Sequence, residues 1–325
     1  MEVVQPTKPF RDIEDLVIGD ENNVSEGEIS FCSLGGINYS KLVDVSDEEL
    51  YEIIKIGLKT ILQMMRKAPP LTATTRSKML ARANAGLGIS GLADWLYQKG
   101  LDFDGSKESL EAVAWLAERH AYLSYKASVE LVSEGYAPAV EGVHHNWLPI
   151  DTMKNITGRK LSYNWEEIRG KPRAFSVHNC VQPFESSSVF FDGSNSVYPV
   201  REKMIGKVSR SGAVMQHFPH FDEDKHLSAW DIPQITLSKY YSVIQDYTDL
   251  AISADQYFNP ENYPSGRKPL SVAMAEWVAH FELGNKTLYY LNTKVSQEDS
   301  QVYFKANNQE TLGAVDFEDC EDCKM

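Results

Sequence analysis

No stretch of this sequence holds the ~18 uncharged apolar residues that a membrane helix needs, and the start MEVVQPTKPF lacks a basic segment followed by an apolar run. A membrane span and a secretory leader are therefore not expected. Positive charge is also in short supply: 32 Lys and Arg against 46 Asp and Glu leave a formal net charge of −14. Such a balance repels a phosphate backbone unless one face is locally basic, so no nucleic-acid partner is expected. Cysteine is scarce as well. The four present (Cys32, Cys180, Cys320, Cys323) are too few and too unevenly placed for a disulfide scaffold, and a reducing cytoplasm suits them. No segment repeats at a fixed period. What remains is a 325-residue chain, 42% hydrophobic and 24% charged, long enough to bury a core as one large domain or two small ones.

The first 27 residues are polar, carry Pro6 and Pro9, and read as an irregular arm. Residues 28–34 read as a strand running into Gly35 and Gly36, where the backbone packs closely against something. Ser46 and Glu49 form a capping box for a helix whose apolar face is Leu50, Ile53, Ile54, Leu58, Ile61, Leu62 and Met65, stopped by Pro69 and Pro70. Gly86, Gly88 and Gly91 match the spacing of a dinucleotide fingerprint. No clear strand precedes them and no strand ending in an acid follows, so close helix packing through glycine is the preferred reading. Long helices are expected over 107–134 and 235–256, strands and loops over 174–216, and an amphipathic helix over 270–283 ended by Gly284, then a strand-like KTLYYLNT. Alternating helices and short strands favour an α/β fold with a partly parallel sheet over residues 1–294. Residues 295–325 are polar and acidic, and are expected to form a mobile tail.

Several residues suit chemistry, each beside a plainer role. Cys320 and Cys323 are a terminal CxxC: a zinc site lacking two further nearby ligands, a pair of incidental surface thiols, or a dithiol that opens and closes as a disulfide. Cys32 and Cys180 taken alone read as small core residues. The run Pro183, Phe184, Glu185, Ser186, Ser187, Ser188 gathers hydroxyls and backbone N–H groups in one turn, suited to a phosphate or to no ligand at all. Tyr289 and Tyr290 fit core packing or electron transfer.

These elements occur in one family's order: PTKP (residues 6–9), GEISFCSLGGIN (27–38), GLGISGLAD (86–94), LPIDT (148–152), QPFESSS (182–188), ISADQYFNP with PSG (252–266), KTLYYLNT (286–293) and the CxxC. The sequence resembles the C-terminal portion of the large, catalytic subunit of class I ribonucleotide reductase. The resemblance implies part of a ten-stranded α/β barrel that reduces ribonucleoside diphosphates to deoxyribonucleotides by radical chemistry. It implies that Cys32 is one of two thiols oxidised as the ribose 2′-hydroxyl is reduced, and that Glu2 takes the 3′-hydroxyl proton. Met1, Glu2 and Pro183 to Ser187 match substrate-binding positions. Tyr289 and Tyr290 match a radical relay, and Cys320 with Cys323 the dithiol that re-reduces the site.

The departures from the family are equally specific. The family's radical cysteine would fall immediately before Met1; it, a neighbouring asparagine, the second reducible thiol and the N-terminal region have no counterpart here. The chain is therefore expected to be one piece of a split subunit. Its expected partners are an N-terminal fragment carrying the radical cysteine, the small subunit, thioredoxin or glutaredoxin, and a ribonucleoside diphosphate. No metal or cofactor is expected on this chain, the radical coming from the metal-containing small subunit. Phe184 stands where the family usually has Ser or Thr, which leaves phosphate binding to backbone N–H groups, Ser186 and Ser187. A stand-alone thiol-disulfide oxidoreductase using the terminal CxxC is the alternative, and a non-catalytic interaction protein a third reading.

Overall fold

The computed structural model describes residues 32–68, 73–140, 143–209 and 212–294. β1 (Cys32–Asn38) runs parallel to β2 (Asn84–Ser90), with Cys32 opposite Asn84 and Asn38 opposite Ser90. A parallel pair needs a crossover, here supplied by α1 (Asp47–Lys67) and α2 (Ala73–Arg82). α1 starts where Ser46 Oγ accepts the Glu49 N–H at 3.1 Å, and its buried face is Leu50, Ile54, Leu58, Ile61, Leu62 and Met65. α3 (Leu92–Gln98) follows β2 through Gly91, whose φ of +75° and whose approach to Asn38 Oδ1, 2.4 Å from where a Cβ would sit, both require glycine. Next come α4 (Lys107–Ser133), α5 (Glu185–Phe190), and the antiparallel hairpin of β3 (Met204–Ser209) and β4 (Gly212–His217). α6 (Gln234–Gln245) precedes a second parallel unit, β5 (Gln256–Phe258) and β6 (Leu291–Thr293) joined through α7 (Leu270–Glu282).

α4 packs against α1 and α6. Its buried His120 ties the helix to the sheet: the ring bonds Tyr39 Oη at 2.9 Å and the Leu87 carbonyl at 2.8 Å. Burial pushes the His120 pKa down to about 4, so the imidazole is neutral near pH 7.

The mixed α/β content agrees with expectation. The described strands, however, form three separate two-stranded sheets and no closed barrel, and among the described residues no strand pairs with the outer edge of β1. Three local readings need correction. The glycines at 86 and 88 lie inside a strand, and what they pack against is β1 and the irregular segment around Cys180 and Gln182 rather than a helix. The helix expected over 235–256 stops at Gln245 because tertiary hydrogen bonds take over: Gln245 Nε2 donates to the Thr248 and Leu250 carbonyls, and Asp246 accepts the N–H groups of Lys154 and Asn155. In KTLYYLNT only Leu291–Thr293 is strand.

Candidate active site

β2 is the wall of the site. On its second edge the Ala85 N–H donates to the Val177 carbonyl at 2.8 Å and the Leu87 N–H to the His178 carbonyl at 3.3 Å. The chain after His178 then crosses the sheet towards β1. Glycine at alternate positions makes that crossing possible, because alternate residues of a strand face the same side. A Cβ on Gly86 would lie 2.6 Å from Cys180 Sγ and 3.0 Å from Cys32 Sγ; one on Gly88 would lie 2.6 Å from Gln182 Oε1. Cys32 is half-buried on β1 and Cys180 is buried opposite it, both as thiols, hydrogen-bonded to each other. Cys180 Sγ also donates to Gln182 Oε1 at 2.7 Å, while Gln182 Nε2 donates to the Gly35 carbonyl at 2.8 Å. The hydrogen bond with Cys32 and then burial push the Cys180 thiol well above its ordinary pKa.

The Pro183–Ser187 turn follows at once. The Phe184 ring lies on Gly36, 2.4 Å from where a Cβ would stand, so Phe184 serves as an anchor and Gly36 makes room for it. α5 starts at Glu185 and leaves Ser186 and Ser187 exposed. The Phe184 N–H already donates to Asn195 Oδ1 at 2.6 Å, and Asn195 Nδ2 donates to Glu185 Oε1 at 2.7 Å. Phosphate binding at this turn would therefore use the Ser186 and Ser187 hydroxyls and first-turn N–H groups other than that of Phe184. An open cavity of about 610 Å³ lies between the turn and β1, lined by Leu34, Gly35, Gly36 and Pro183 among others.

Tyr289 and Tyr290 are 42% and 58% exposed, which rules out the core-packing reading. Their ring centroids are 3.9 Å apart at an interplanar angle of 39°. The hydrogen bond with Tyr290, ahead of partial burial, pushes the Tyr289 phenol up to about 12. Asp255 lies beside the pair, its carboxylate accepting the Tyr290 N–H at 3.4 Å and Asn292 Nδ2 at 3.0 Å. Burial pushes Asp255 up to about 6 against those two bonds. A short covalent and hydrogen-bonded route links the pair to the thiols: the Tyr289 N–H donates to the Ala254 carbonyl at 2.9 Å, and the neighbouring Ser253 N–H donates to the Val181 carbonyl, next to Cys180, at 3.0 Å.

Cys32 thus meets Cys180, while the turn from Pro183 to Ser187 lies further along the same strand at Gly36, beside a cavity whose lining includes Leu34, Gly35 and Gly36 but not Cys32, and the Tyr289 and Tyr290 rings are in tilted contact. Met1, Glu2, Cys320 and Cys323 lie outside the described residues. Among the described residues, no group of three or more His, Cys, Asp or Glu is placed to hold a metal ion, and no helix is long and apolar enough to cross a membrane. Sequence reasoning missed Cys180 as a neighbour of Cys32, Gln182 as the staple between strands, and Asp255. The alternate glycines at 86 and 88 were the available signal for the first two, since a strand face stripped of side chains must be covered by something else.

Comparison with known proteins gives a consistent picture. The family model for the ribonucleotide reductase barrel domain matches residues 1–291. The alpha subunit of ribonucleoside-diphosphate reductase from Haemophilus influenzae is 30% identical over 321 residues, 93% of this chain and 40% of that protein. The corresponding subunit from Buchnera aphidicola of Acyrthosiphon pisum is 27% identical over 93% of this chain and 40% of its own length. Subunit alpha of reductase 1 from Escherichia coli is 30% identical over 71% of this chain and 32% of its own length. The chain spans about 40% of the length of the first two relatives.

Proposed function

The chain belongs to the ribonucleotide reductase barrel-domain family, and on that premise we propose that it supplies the barrel portion of a class I ribonucleoside-diphosphate reductase. The overall reaction replaces the ribose 2′-hydroxyl by hydrogen: two thiols give up two electrons and two protons, the hydroxyl leaves as water, and a disulfide remains. Cys32 is one of those thiols. Met1, Glu2 and Pro183 to Ser187 hold the substrate, with Glu2 taking the 3′-hydroxyl proton and the turn holding the diphosphate. Tyr289 and Tyr290 relay the radical, and Cys320 with Cys323 reduce the disulfide and exchange it with thioredoxin or glutaredoxin. The partners are the N-terminal portion of a large subunit, which carries the radical cysteine, and a small subunit whose metal generates the radical.

One observation carries this reading: the strand that bears the Cys32 thiol also seats the hydroxyl-rich turn, with Phe184 on Gly36 and Gln182 on Gly35, beside an open cavity. The exposed tyrosines, their rings in contact, add support, since a radical arriving from another subunit has to enter at the surface. The exposed apolar side chains Leu270, Met274, Val278 and Phe281 of α7, with Leu291 beside Tyr290, offer contact area there. Cys32→Ser in the assembled complex tests the assignment. Deoxyribonucleotide formation should fall below detection while the ribonucleoside diphosphate still binds; turnover within a few fold of the parent would refute it.

A further inference from the structure

The proposed chemistry makes no use of Cys180, yet its thiol lies against that of Cys32. Gly86 stands between the two chains and contributes no side chain, so both sulfurs converge on one point, 2.6 and 3.0 Å from the place a Cβ would occupy. They share a hydrogen bond. The segment bearing Cys180 is irregular: residues 179–184 belong to no helix or strand, so Cys180 can move towards β1 without breaking a ladder. We propose that Cys32 and Cys180 are a redox pair that closes reversibly into an intrachain disulfide, with Cys180 acting as the resolving thiol for any disulfide formed on Cys32.

The oxidant is a disulfide. Cys32, as thiolate, attacks one sulfur of a small disulfide such as oxidised glutathione; that S–S bond breaks, one glutathione leaves as a thiolate, and a mixed disulfide remains on Cys32. Cys180 then loses its proton and attacks the Cys32 sulfur, the mixed disulfide breaks, and the second glutathione leaves. In sum, two protein thiols and one small disulfide give one protein disulfide and two small thiols. The order of events follows from the surroundings. The hydrogen bond between the two thiols and burial raise the Cys180 thiol, so Cys32 reacts first, and that hydrogen bond is lost once Cys32 is in the mixed disulfide. A disulfide needs Cα atoms about 4.4–6.8 Å apart, and since Cys32 is paired in the β1–β2 ladder, any adjustment to that spacing falls on the segment outside it. If Cys32 is the reductant of the proposed reaction, a disulfide it forms with a thiol elsewhere passes to Cys180 and releases the other thiol; that consequence rests on the proposed function, whereas the pairing itself does not.

The test uses the full chain carrying Cys320→Ser and Cys323→Ser, which removes competition from the terminal thiols. The reduced protein is exposed to oxidised glutathione, quenched by alkylation, and read by intact mass and peptide mapping. The expected product is lighter than the reduced protein by about 2 Da, the two hydrogens lost on closing a disulfide, with a linked Cys32–Cys180 peptide and no glutathione adduct. Adding Cys180→Ser, or Cys180→Ala where serine is poorly tolerated at this buried position, should convert the product into a stable adduct on Cys32. Separate adducts on both cysteines, no reaction at either, or an unchanged product without Cys180 would overturn the pair. Turnover is measured separately on the parent chain with all four cysteines: a linked peptide in the variant, with no deoxyribonucleotide formed by the parent in the assembled complex, would sink the proposed function and leave the pair standing; turnover by the parent without the linked peptide would do the reverse.

Discussion

Gly86→Ala tests the packing on which the site is built. Gly86 lies in β2 without a positive φ, so alanine meets no backbone penalty there, and the stiffer unfolded chain would by itself add about 0.4–1 kcal/mol of stability. The new methyl, however, would stand 2.6 Å from Cys180 Sγ and from Leu34 Cδ2 and 3.0 Å from Cys32 Sγ, separations at which the neighbours must shift. Overpacking a buried position of this kind costs about 1–3 kcal/mol, so the net loss lies between about 0 and 2.6 kcal/mol and centres on about 1 kcal/mol. Gly57→Ala in α1 is the control. Its nearest neighbour, Leu87 Cδ1, is 3.4 Å away, an ordinary contact, and alanine replacing glycine inside a helix should stabilise by about 0.5–1 kcal/mol. Urea unfolding followed by tryptophan fluorescence should therefore give opposite signs for the two variants. The methyl at 86 should also part the thiols, remove the hydrogen bond that raises Cys180, and speed its alkylation. Unchanged or higher stability of Gly86→Ala, with an unchanged alkylation rate, would refute the reasoning.

Tyr290→Phe removes a hydroxyl from a side chain that is 58% exposed, so folding and assembly should survive while turnover in the complete complex collapses. In the same variant the Tyr289 phenol, raised to about 12 mainly by its hydrogen bond with Tyr290, should titrate closer to 10 by ultraviolet absorbance; a titration that does not move would contradict the assigned cause. His120 predicts an acid-sensitive fold. Its pKa of about 4 in the folded chain lies below the unfolded value of 6.5, so its contribution is fully present above pH 6.5 and is lost as pH falls towards 4. The loss should approach about 3 kcal/mol, and His120→Gln should flatten that part of the urea-midpoint profile. A variant profile parallel to that of the parent would assign the acid sensitivity to other groups.

Local signals made some elements legible and left others hidden. α1 was readable nearly to the residue because Ser46, the apolar stripe from Leu50 to Met65 and the two prolines are all close in sequence. α4 was readable for its length and pattern. α6 was overextended because the features that end it, the Gln245 side chain bonding to Thr248 and Leu250 and the Asp246 bonds to Lys154 and Asn155, depend on the folded chain. The same holds at the site. By residue type Cys32 reads as a small core residue and the Pro183–Ser187 turn as a phosphate site or none, and only the resemblance singles both out; a close approach at Gly35 and Gly36 was expected, but the approaching ring of Phe184 is some 150 residues away in sequence. Cys180 kept its core reading, and it is buried; its partner on β1 became visible only through the bare face of β2. The tyrosines were placed in a strand by their aromatic character, whereas they precede β6 and face outward.

The central claim, that of the proposed function, is that this chain contributes a reductant thiol and a radical relay to a ribonucleotide reductase and acts together with the N-terminal portion of a large subunit. Reconstitution measures this most directly: the purified chain, a small subunit, a dithiol reductant and a ribonucleoside diphosphate, with and without the N-terminal portion of a large subunit added as a separate polypeptide. The account predicts no deoxyribonucleotide without that portion and restored turnover with it. Clear deoxyribonucleotide formation by this chain and the small subunit alone would contradict it.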